Sequence, residues 1–577
     1  MKKFAKKFIL LSMVTGIAAT NLVACGSKDK PAADGQTQAA GEAETEQKSK
    51  YDTVVVASLD INGVFNPFFA TTGPDGDVND RIFEPLIKAD RQAQPEAALA
   101  DFTIEEVKGD DGVVTQSIYT FTIKDGAVFS DGTPVTADDV IFNYLVYSDP
   151  TYDGAATFYT LGIPGMKEYH EGDATEISGI KKVDDRTVQV TLDGVDPSAI
   201  WKLGGIGVAP KAYYGVDDSG KEFTKGDLSV PKSRNASPLG AGAYKFESFD
   251  KGVVTLKANE NYYKGQPLTP TIKIQVVAEA NKLEAVKLNE IDISDPAASP
   301  EMVTDVEGAG LEYKLIENLG YGYIGLNAER IPDINVRKGL MHLMNRGPAV
   351  ETYYGDLADV IERPMSTVSW AYPQGATEYY GFNPEKALEY FTAAGYKQVD
   401  KGGKPSLEKD GKQLKVQVGI PGGGTMDHPT APVLTQMKTE MEKMGAVLEI
   451  LDTDGTVFFD KLNAAEWDMW VAAWGSTADP DMYQLYHSNG STNRYKVSNP
   501  ELDAAIEAAR STNDIEVRKG YFAEALDLVM EEAVEMPVYQ RKNMYVFNPE
   551  IVDMDSLPTD MTPYYTYFSE VETFRLK

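Results

Sequence analysis

The sequence predicts a mixed α/β protein with more than one lobe, carried behind an N-terminal export leader. Its 577 residues exceed what one ordinary hydrophobic core organises, and 42% hydrophobic with 10% aromatic residues is a globular composition. Short segments with period-two alternation dominate the first half of the chain, whereas the pattern changes after about residue 340 and strand-like and helix-like segments then alternate. The first pattern indicates antiparallel strands, and the second indicates parallel strands joined by helices.

The first 24 residues predict an export signal. Lys2, Lys3, Lys6 and Lys7 form a charged start, and a mostly apolar run follows over residues 8–19. That run is about a dozen residues long, well short of the ~20 that a membrane-spanning helix needs. The leader is therefore expected to be removed rather than to span a bilayer.

Residues 22–25 (Leu-Val-Ala-Cys) resemble the bacterial lipobox. The resemblance implies cleavage after residue 24 and acylation of Cys25, for example with palmitate. Cys25 is the single cysteine of the chain, so no internal disulfide forms. Residues 25–50 carry no large apolar side chain and are predicted to be a flexible tether. We expect a lipid anchor at the outer face of the bacterial cytoplasmic membrane, which is the periplasm in a cell with an outer membrane.

The charge balance limits the partners of the chain. The formal net charge is −33, which argues against nucleic acid or an anionic lipid surface as the main partner. An acidic surface also keeps an exported protein soluble, so the charge alone identifies no ligand. Cationic or amine-bearing ligands would be attracted to it.

The N-terminal part of the body is predicted to be rich in strands. Residues 53–57 open as a β segment, and residues 119–123, 187–192 and 253–256 follow as further strands, most of them with period-two alternation. Thr136 precedes two aspartates in a pattern that resembles a capping box and predicts a helix start.

The C-terminal part predicts a β-α-β-α-β order. Strands are predicted at residues 414–418, 447–450 and 469–474, with helices before Gly445 and over residues 458–465. Other helices are predicted to begin at Asn383-Pro384 and at Asn499-Pro500, where Asn is the cap and Pro occupies the first turn. Methionines at helical spacing before Gly445 are predicted to fill the core rather than to bind ligand. Parallel strands with right-handed crossovers are expected here.

Four segments resemble the large peptide/nickel-binding family of extracytoplasmic solute-binding proteins of ABC importers. They are residues 122–140, 238–246, 335–346 and 499–542, and they occur in the family's order. The resemblance implies a two-lobed, type II periplasmic-binding-protein fold whose lobes are joined by two chain crossings. It implies binding without a catalytic reaction. Nickel or haem loading is known elsewhere in the family, but no dedicated His or Cys cluster supports it here, and no cofactor is expected.

The resemblance also implies the domain boundaries. Lobe one is expected at residues 51–316, with an extra subdomain at about 88–236, and lobe two at residues 317–538. Residues 539–577 are expected to return to lobe one. The two crossings are expected near residues 317–325 and 536–545.

The best candidate for a binding surface is the segment of residues 467–483. Here a predicted strand leads into a Gly/Ser/Asp loop, which delivers Trp474 to the carboxyl edge of a parallel sheet. Trp offers a wide face to ligand side chains or cations, and Asp479 and Asp481 offer carboxylates for an amine. The alternative is that Trp474 belongs to the core and that both aspartates form turns.

Two departures from the family's pattern bear on the ligand. In the family's peptide binders an Asp three residues after this Trp holds the peptide amine, and here that position is Thr477. The dipeptide binders also carry an Arg after the strand that corresponds to residues 416–420, and residues 421–428 contain none. Both departures weaken a dipeptide assignment and leave longer peptides, bound through main-chain hydrogen bonds, or a non-peptide solute.

Further cleft candidates lie near the first crossing and in the first lobe. They are Tyr321, Tyr323, Asn66, Phe68 and Thr71. These residues have the aromatic or polar character that a binding cleft needs, but no spacing ties them to one ligand.

The function expected from these features is capture of a ligand, most simply an oligopeptide, by lobe closure. A monomer is expected to deliver it to a membrane permease that works with an ATPase. A surface receptor without transport is the alternative in the same fold. A secreted hydrolase is disfavoured, because the sequence has no Gly-x-Ser-x-Gly or His-Glu-x-x-His motif and its four histidines are scattered. No metal site is expected for the same reason.

Overall fold

The computed structural model describes residues 50–424, residue 426 and residues 428–577. The predicted leader, Cys25 and the tether up to residue 49 lie outside the described residues. In the part of the chain that is described, no helix is both long and apolar enough to cross a membrane.

The first part of the described chain is rich in strands and has short helices. In chain order its elements are β1 (Thr53–Ser58), α1 (Gly73–Ile82), β2 (Ile87–Ala89), β3 (Pro95–Ala97), β4 (Ala100–Lys108), β5 (Val114–Ile123), α2 (Ala137–Tyr147), α3 (Met166–Glu171), β6 (Ile180–Lys182), β7 (Thr187–Asp193), α4 (Ala199–Gly204), α5 (Lys211–Tyr214), α6 (Ser229–Lys232), β8 (Tyr244–Asp250), β9 (Val253–Ala258), β10 (Thr271–Val276), α7 (Lys282–Lys287), β11 (Ile293–Ser294), α8 (Pro300–Gly308) and β12 (Glu312–Glu317). The predicted start of α2 is confirmed, since the Asp139 carboxylate accepts a hydrogen bond from the Thr136 backbone N–H at 2.8 Å.

The second part carries longer helices. Its elements are β13 (Gly320–Leu326), α9 (Ile334–Met341), α10 (Arg346–Tyr354), β14 (Ala358–Asp359), α11 (Pro384–Ala393), β15 (Lys397–Asp400), β16 (Pro405–Lys409), β17 (Lys412–Gln413), β18 (Lys415–Ile420), α12 (Ala431–Met444), β19 (Val447–Asp452), α13 (Gly455–Asn463), β20 (Met469–Gly475), α14 (Tyr483–Tyr486), α15 (Pro500–Ala509), α16 (Ile515–Glu532) and β21 (Glu535–Phe547). The predicted caps are confirmed: Asn383 accepts from the Lys386 N–H at 2.9 Å, and Asn499 accepts from the Glu501 N–H at 2.8 Å.

The predicted β-α-β-α-β order is confirmed as a parallel unit. Strand β18 runs parallel to β19 and also parallel to β20, with α12 and α13 as the connecting helices. The methionines of α12 at positions 437 and 441 are fully buried, which confirms that they fill the core.

One large sheet runs through both parts of the chain. Its strand order is β19-β18-β20-β13-β21-β11-β1-β10-β9-β8, with β12 and β14 also paired to β21. Strand β21 changes partner along its length: residues 535–539 pair with β13, and residues 542–547 pair with β12. A single 13-residue strand therefore connects the two halves of the sheet.

A separate antiparallel sheet lies in the first part of the chain. Its order is β4-β5-β7-β6, and Tyr119 of β5 pairs with Val190 of β7. The period-two segments of the sequence therefore form antiparallel strands, as predicted.

The buried apolar residues form separate clusters that follow this division. One cluster takes its members from residues 54–293 and 547–576. Two others draw almost entirely on residues 321–538, apart from Ala93. A smaller cluster packs α7 and the β12 region against residues 544 and 546. The chain thus has more than one core, as its length predicts.

The glycines of β13 make room for aromatic rings. A Cβ atom added at Gly325 would lie 2.3 Å from an atom of the Trp470 indole, and one added at Gly322 would lie 2.3 Å from the Tyr539 ring. Large side chains can pack flat across this strand only because these positions carry none.

We expect Gly325→Ala to lower the free energy of unfolding by about 2 kcal/mol, because the added methyl overpacks a buried ring. Urea denaturation followed by circular dichroism measures the change. Gly475→Ala on the neighbouring strand is the matched control, since an added Cβ there meets nothing within 4 Å. Equal losses in the two variants would contradict the packing role of Gly325.

Candidate functional site

The predicted Trp474 lies on β20, directly opposite Tyr321 of β13. Its indole ring is parallel to the Tyr323 ring, with 5.8 Å between the ring centroids and 5° between the planes. The indole Nε1–H donates a hydrogen bond to the Tyr495 hydroxyl at 2.9 Å. The side chain remains partly exposed, so one part of the indole is fixed by protein while another part meets solvent.

A buried carboxyl lies behind this aromatic pair. Glu535, the first residue of β21, is 0% exposed. It accepts hydrogen bonds from the hydroxyls of Tyr321 at 3.0 Å and Tyr486 at 2.9 Å, and it also contacts the Tyr495 hydroxyl. Burial raises the pKa of Glu535 to about 7, although its hydrogen-bonding partners partly offset that rise.

Tyr321 and Tyr323 belong to a largely buried group that we call the aromatic cluster, rather than to an open surface. The cluster consists of Glu535 and the rings around it, Tyr321, Tyr323, Trp474, Tyr486 and Tyr495. Tyr321 and Tyr323 are 4% and 0% exposed. The Tyr323 hydroxyl accepts a hydrogen bond from the Trp470 Nε1–H at 3.3 Å. Both predicted residues thus support Trp474 from within, and direct contact with a ligand stays a prediction for them.

The carboxylates of the loop after β20 are already engaged. Asp479 forms a two-bond ion pair with Arg518, at 2.9 and 3.0 Å, and both side chains are nearly buried. Asp481 accepts from the Tyr483 backbone N–H at 3.0 Å, and its other oxygen is 3.3 Å from the Arg510 Nε atom. The positive charges beside them leave neither aspartate as an uncompensated anion for a ligand amine.

Thr477 is exposed at the same loop. Its hydroxyl donates to the Asp479 backbone carbonyl at 2.5 Å, which fixes the turn. Thr477 carries no charge, so it offers a ligand only a hydroxyl group.

Asn66 and Phe68 lie inside the first part of the chain. The Asn66 amide donates to the Pro231 carbonyl at 2.9 Å and accepts from the Phe68 backbone N–H at 3.0 Å. Phe68 packs edge-on against Tyr147 and Tyr214. Their polar and aromatic groups are therefore used in holding the core. Thr71 is exposed just before α1.

A cavity of about 810 Å³ opens next to this segment. Helix α1 and strands β1, β10 and β11 form part of its wall, together with segments 85–98, 201–207 and 563–569. Pro67 and Ala70, neighbours of the predicted Phe68 and Thr71, also line it, whereas Trp474 does not. None of the predicted site residues is among the residues that line this cavity, and only the chain neighbours of Phe68 and Thr71 reach it.

Two aspartates of α1 give the cavity a negative wall. Asp77 and Asp80 are exposed to it, yet the surrounding protein raises the pKa of both carboxyls above the usual value. Arg81 is the cation beside them and lowers both pKa values in part. Among the described residues, neither carboxylate has an ion-pair partner within salt-bridge distance.

Three other charged groups of the wall, Lys88, Asp295 and Lys264, are in ion pairs, the last at 3.9 Å from Glu572. Lys88 lies 2.8 Å from Glu84, and the Asp295 carboxylate lies 2.8 Å from the Lys282 ammonium. The charged groups of the wall without an ion-pair partner among the described residues are Asp77, Asp80 and Glu96 on the negative side and Arg81 on the positive side.

Several buried polar atoms of the same wall have no hydrogen-bond partner among the described residues. They are Asn79 Oδ1, Ser294 Oγ, Tyr564 OH and Arg81 Nε. Buried polar atoms are nearly always satisfied in folded proteins. Four such atoms lie in residues that line this one cavity, which makes it the candidate site for a polar ligand. Among the described residues, no group of His, Cys, Asp and Glu is arranged to hold a metal ion.

Sequence reasoning did not single out Glu535, Asp77 or Asp80. A lone acid inside the apolar stretch of residues 533–538 was the available signal for Glu535. Asp77 and Asp80 are spaced by three residues within a helix, which places both on one face.

The fold is that of the two-lobed, type II periplasmic binding proteins, as predicted. The unliganded open form of the murein tripeptide-binding protein MppA matches with a TM-score of 0.73 and 20% identity, over 92% of this chain and 98% of that one. AppA from Bacillus subtilis in complex with a nonapeptide matches with a TM-score of 0.59 and 22% identity, over 91% and 99%.

Residues 114–496 match the family model described as bacterial extracellular solute-binding proteins, family 5 Middle. The chain belongs to this family of extracellular solute-binding proteins. Among its relatives, the oligopeptide-binding protein AppA of Bacillus subtilis (strain 168) is 26% identical over 544 residues, which cover 92% of this chain and 90% of AppA.

The two loop aspartates differ in burial, which predicts different roles in stability. Asp479→Asn is expected to lower the free energy of unfolding by about 3 kcal/mol, because it leaves the buried Arg518 cation uncompensated. Asp481→Asn is the matched control and is expected to lose less than about 1 kcal/mol, since its ion pair is exposed to solvent. Urea denaturation measures both. A larger loss in the Asp481 variant would contradict this assignment.

Proposed function

We propose that the chain binds a peptide outside the cytoplasm and delivers it to an ABC importer as a monomer, without chemical change to the ligand. Membership of the extracellular solute-binding family supports the binding role. The relatives' names support the ligand class, since AppA is an oligopeptide-binding protein whose structure holds a nonapeptide, and MppA binds a murein tripeptide. An acylated Cys25 would hold the chain at the outer face of the membrane.

The observation that carries the peptide assignment is the polar cavity beside α1. Its volume of about 810 Å³ suits a ligand larger than one amino acid. A peptide supplies both N–H donors and carbonyl acceptors, which are the partners that Asn79, Ser294 and Tyr564 lack. The arrangement therefore favours a ligand with a repeating amide backbone.

The α1 carboxylates give this ligand an orientation. Thr477 cannot neutralise a peptide amine, and Asp479 and Asp481 already face arginines. Asp77 and Asp80 are exposed to the cavity and have one arginine beside them, so an ammonium group in the cavity meets an opposite charge there. In this proposal they take the amine, or a basic side chain, of the peptide.

The lobes of the proposal follow the sequence expectation. Lobe one comprises residues 51–316 and 539–577, with the extra subdomain at about 88–236, and lobe two comprises residues 317–538. All residues that line the cavity belong to lobe one in this division, so lobe two would meet the peptide only on closure. The partner change of β21 between residues 539 and 542 supports a crossing there. The step from β12 to β13, across residues 318 and 319, supports the other crossing.

A polar contact between the extra subdomain and lobe two would stabilise the closed form. The Glu106 carboxylate on β4 accepts from the Asn513 backbone N–H at 2.7 Å and from the Thr512 hydroxyl at 3.0 Å. The Asn513 amide also donates to Ser117 and accepts from Tyr119, both on β5. Opening the lobes at this point would break all of these hydrogen bonds.

The peptide assignment is tested with purified protein and synthetic nonapeptides, each with a free or an acetylated N-terminus. Calorimetry should show binding of the free-amine forms. The Asp77→Asn/Asp80→Asn variant should bind them about tenfold or more weakly, because two carboxylates facing the amine lose their charge. The exposed hairpin variant Asp110→Asn is the control and should bind like the unaltered chain.

Two outcomes separate the parts of this proposal. Absence of binding across a broad peptide panel, together with a non-peptide molecule in mass spectra of the purified protein, would overturn the peptide assignment. Equal binding of free and acetylated peptides would overturn only the roles of Asp77 and Asp80.

The contact at Glu106 predicts that a residue which does not touch the peptide still affects the affinity for it. Glu106→Ala is expected to weaken the best-binding synthetic peptide about tenfold, because charge-assisted hydrogen bonds of the closed form are lost. The radius of gyration of the peptide-loaded variant, measured by small-angle scattering, should be larger than that of the peptide-loaded unaltered chain. The neighbouring Glu105→Ala is the control, because Glu105 is exposed on the same strand. Equal affinities in the two variants would contradict a closing role for Glu106.

A further inference from the structure

The carboxyl of Glu535 lies where three elements meet. Tyr321 comes from β13, Tyr486 from α14, and Tyr495 from the segment before α15, and each hydroxyl contacts the same carboxyl. All four side chains are at most 4% exposed. None of these hydrogen-bonding partners is a cation, so a negative charge on Glu535 depends on neutral donors alone.

The hydrogen bonds of this cluster have a fixed direction. An indole N–H only donates, so the Tyr495 hydroxyl must accept from Trp474 at 2.9 Å. The proton of that hydroxyl is then free to donate to Glu535. The chain from Trp474 through Tyr495 to Glu535 therefore needs Glu535 Oε2 as its acceptor, and Trp474 also lowers the Glu535 pKa directly as a donor beside the carboxyl.

The orientation of Trp474 depends on few contacts. Its ring lies parallel to the buried Tyr323 ring, and the Arg494 guanidinium is 5.7 Å from its centroid. Stacking and a cation–π contact allow an indole to slide in its own plane, whereas the hydrogen bond to Tyr495 fixes its Nε1 edge. Tyr495 is therefore the contact that sets the in-plane position of Trp474.

We propose that the ionised Glu535 carboxylate is a positioning residue that orients the Trp474 indole through Tyr495 and releases this constraint when it is protonated. That Trp474 meets the ligand rests on the proposed function. The coupling between Glu535 and Trp474 does not. The consequence is a binding surface whose aromatic part becomes better ordered as the pH rises through neutrality.

The titration of the cluster belongs to Glu535. Burial raises its pKa to about 7, and burial also raises the pKa of Tyr321, Tyr486 and Tyr495 well above their usual value, so the tyrosines stay neutral. A protonated carboxyl donates from one oxygen and keeps its acceptor capacity at the other. In this proposal the proton resides on Oε2, the oxygen that Tyr486 and Tyr495 share, so the Tyr495 hydroxyl loses the acceptor that enforces the direction of the chain to Trp474.

The contribution of Glu535 to the free energy of unfolding falls as the pH rises, whereas the ordering of Trp474 increases. The folded chain binds the Glu535 proton more tightly than the unfolded chain, in which the carboxyl has its ordinary pKa of 4.5. The contribution of this group to stability is therefore fully present below that value and is lost as the pH rises through about 7. A glutamate with a purely structural role would change stability with pH but would leave the indole unaffected.

The test is fluorine NMR of the full chain labelled with 5-fluorotryptophan. The five tryptophans give a small set of resonances, and Trp474→Phe assigns the one of interest. In the unaltered chain the Trp474 resonance should shift with a midpoint near pH 7. In Tyr495→Phe most of that shift should disappear, and in Glu535→Gln the resonance should not titrate.

Tyr486→Phe is the matched control. It removes a buried hydroxyl from the same Glu535 oxygen that contacts Tyr495, but Tyr486 makes no hydrogen bond to Trp474. The Trp474 resonance should still titrate in this variant, with a midpoint moved to higher pH because one donor to the carboxylate is lost.

A Trp474 resonance that is independent of pH in the unaltered chain would overturn the inference. Identical titrations in the Tyr495 and Tyr486 variants would also overturn it. The measurement needs no ligand, so either result would leave the proposed peptide binding standing. Absence of peptide binding beside a normal titration would instead overturn the proposed function alone. Circular dichroism of each variant checks that it folds, and Glu535→Gln provides a second route if Tyr495→Phe does not.

Discussion

The continuity of β21 is the constraint on which the rest of the structure depends. One 13-residue strand pairs with β13 at its start and with β12 at its end, so the two halves of the sheet share a backbone. Glu535 opens this strand beneath the aromatic cluster, and Tyr545 near its other end lines the cavity. The same strand therefore carries residues of both candidate surfaces.

The aromatic cluster shows how a carboxyl is accommodated without a countercharge. Removing Glu535 from water disfavours its charged form, and three hydroxyl donors compensate for only part of that loss. A hydrophobic residue at this position would pack without such a penalty. Glu535 instead links β21 to β13, α14 and the segment that holds Tyr495, which gives the cluster a single hydrogen-bonded arrangement rather than several packed ones.

Local signals in the sequence predicted much of the fold. Helix caps at Thr136, Asn383 and Asn499 and the β-α-β-α-β order of the second part depend on residues close in sequence, and all are found in the structure. The partners of Asp479 and Glu535 are different, since Arg518 and Tyr321 lie 39 and 214 positions away. No periodicity encodes such pairs, so the sequence identified Trp474 and its loop but not the groups that engage their polar atoms.

The placement of charge explains why the acidic loop after β20 is a weak candidate for holding an amine. A carboxylate attracts a ligand cation only to the extent that no nearer cation already satisfies it, and Arg518 binds Asp479 through two parallel hydrogen bonds. A ligand amine would have to displace a guanidinium that is itself buried and has few alternative partners. Asp77 and Asp80 face the opposite situation, because an open cavity separates them from other protein groups and a single arginine lies beside both. The free energy gained by neutralising Asp77 and Asp80 is therefore available to a ligand. The binding preference of the chain should follow these two carboxylates rather than Asp479 and Asp481, which lie close to Trp474 in the sequence.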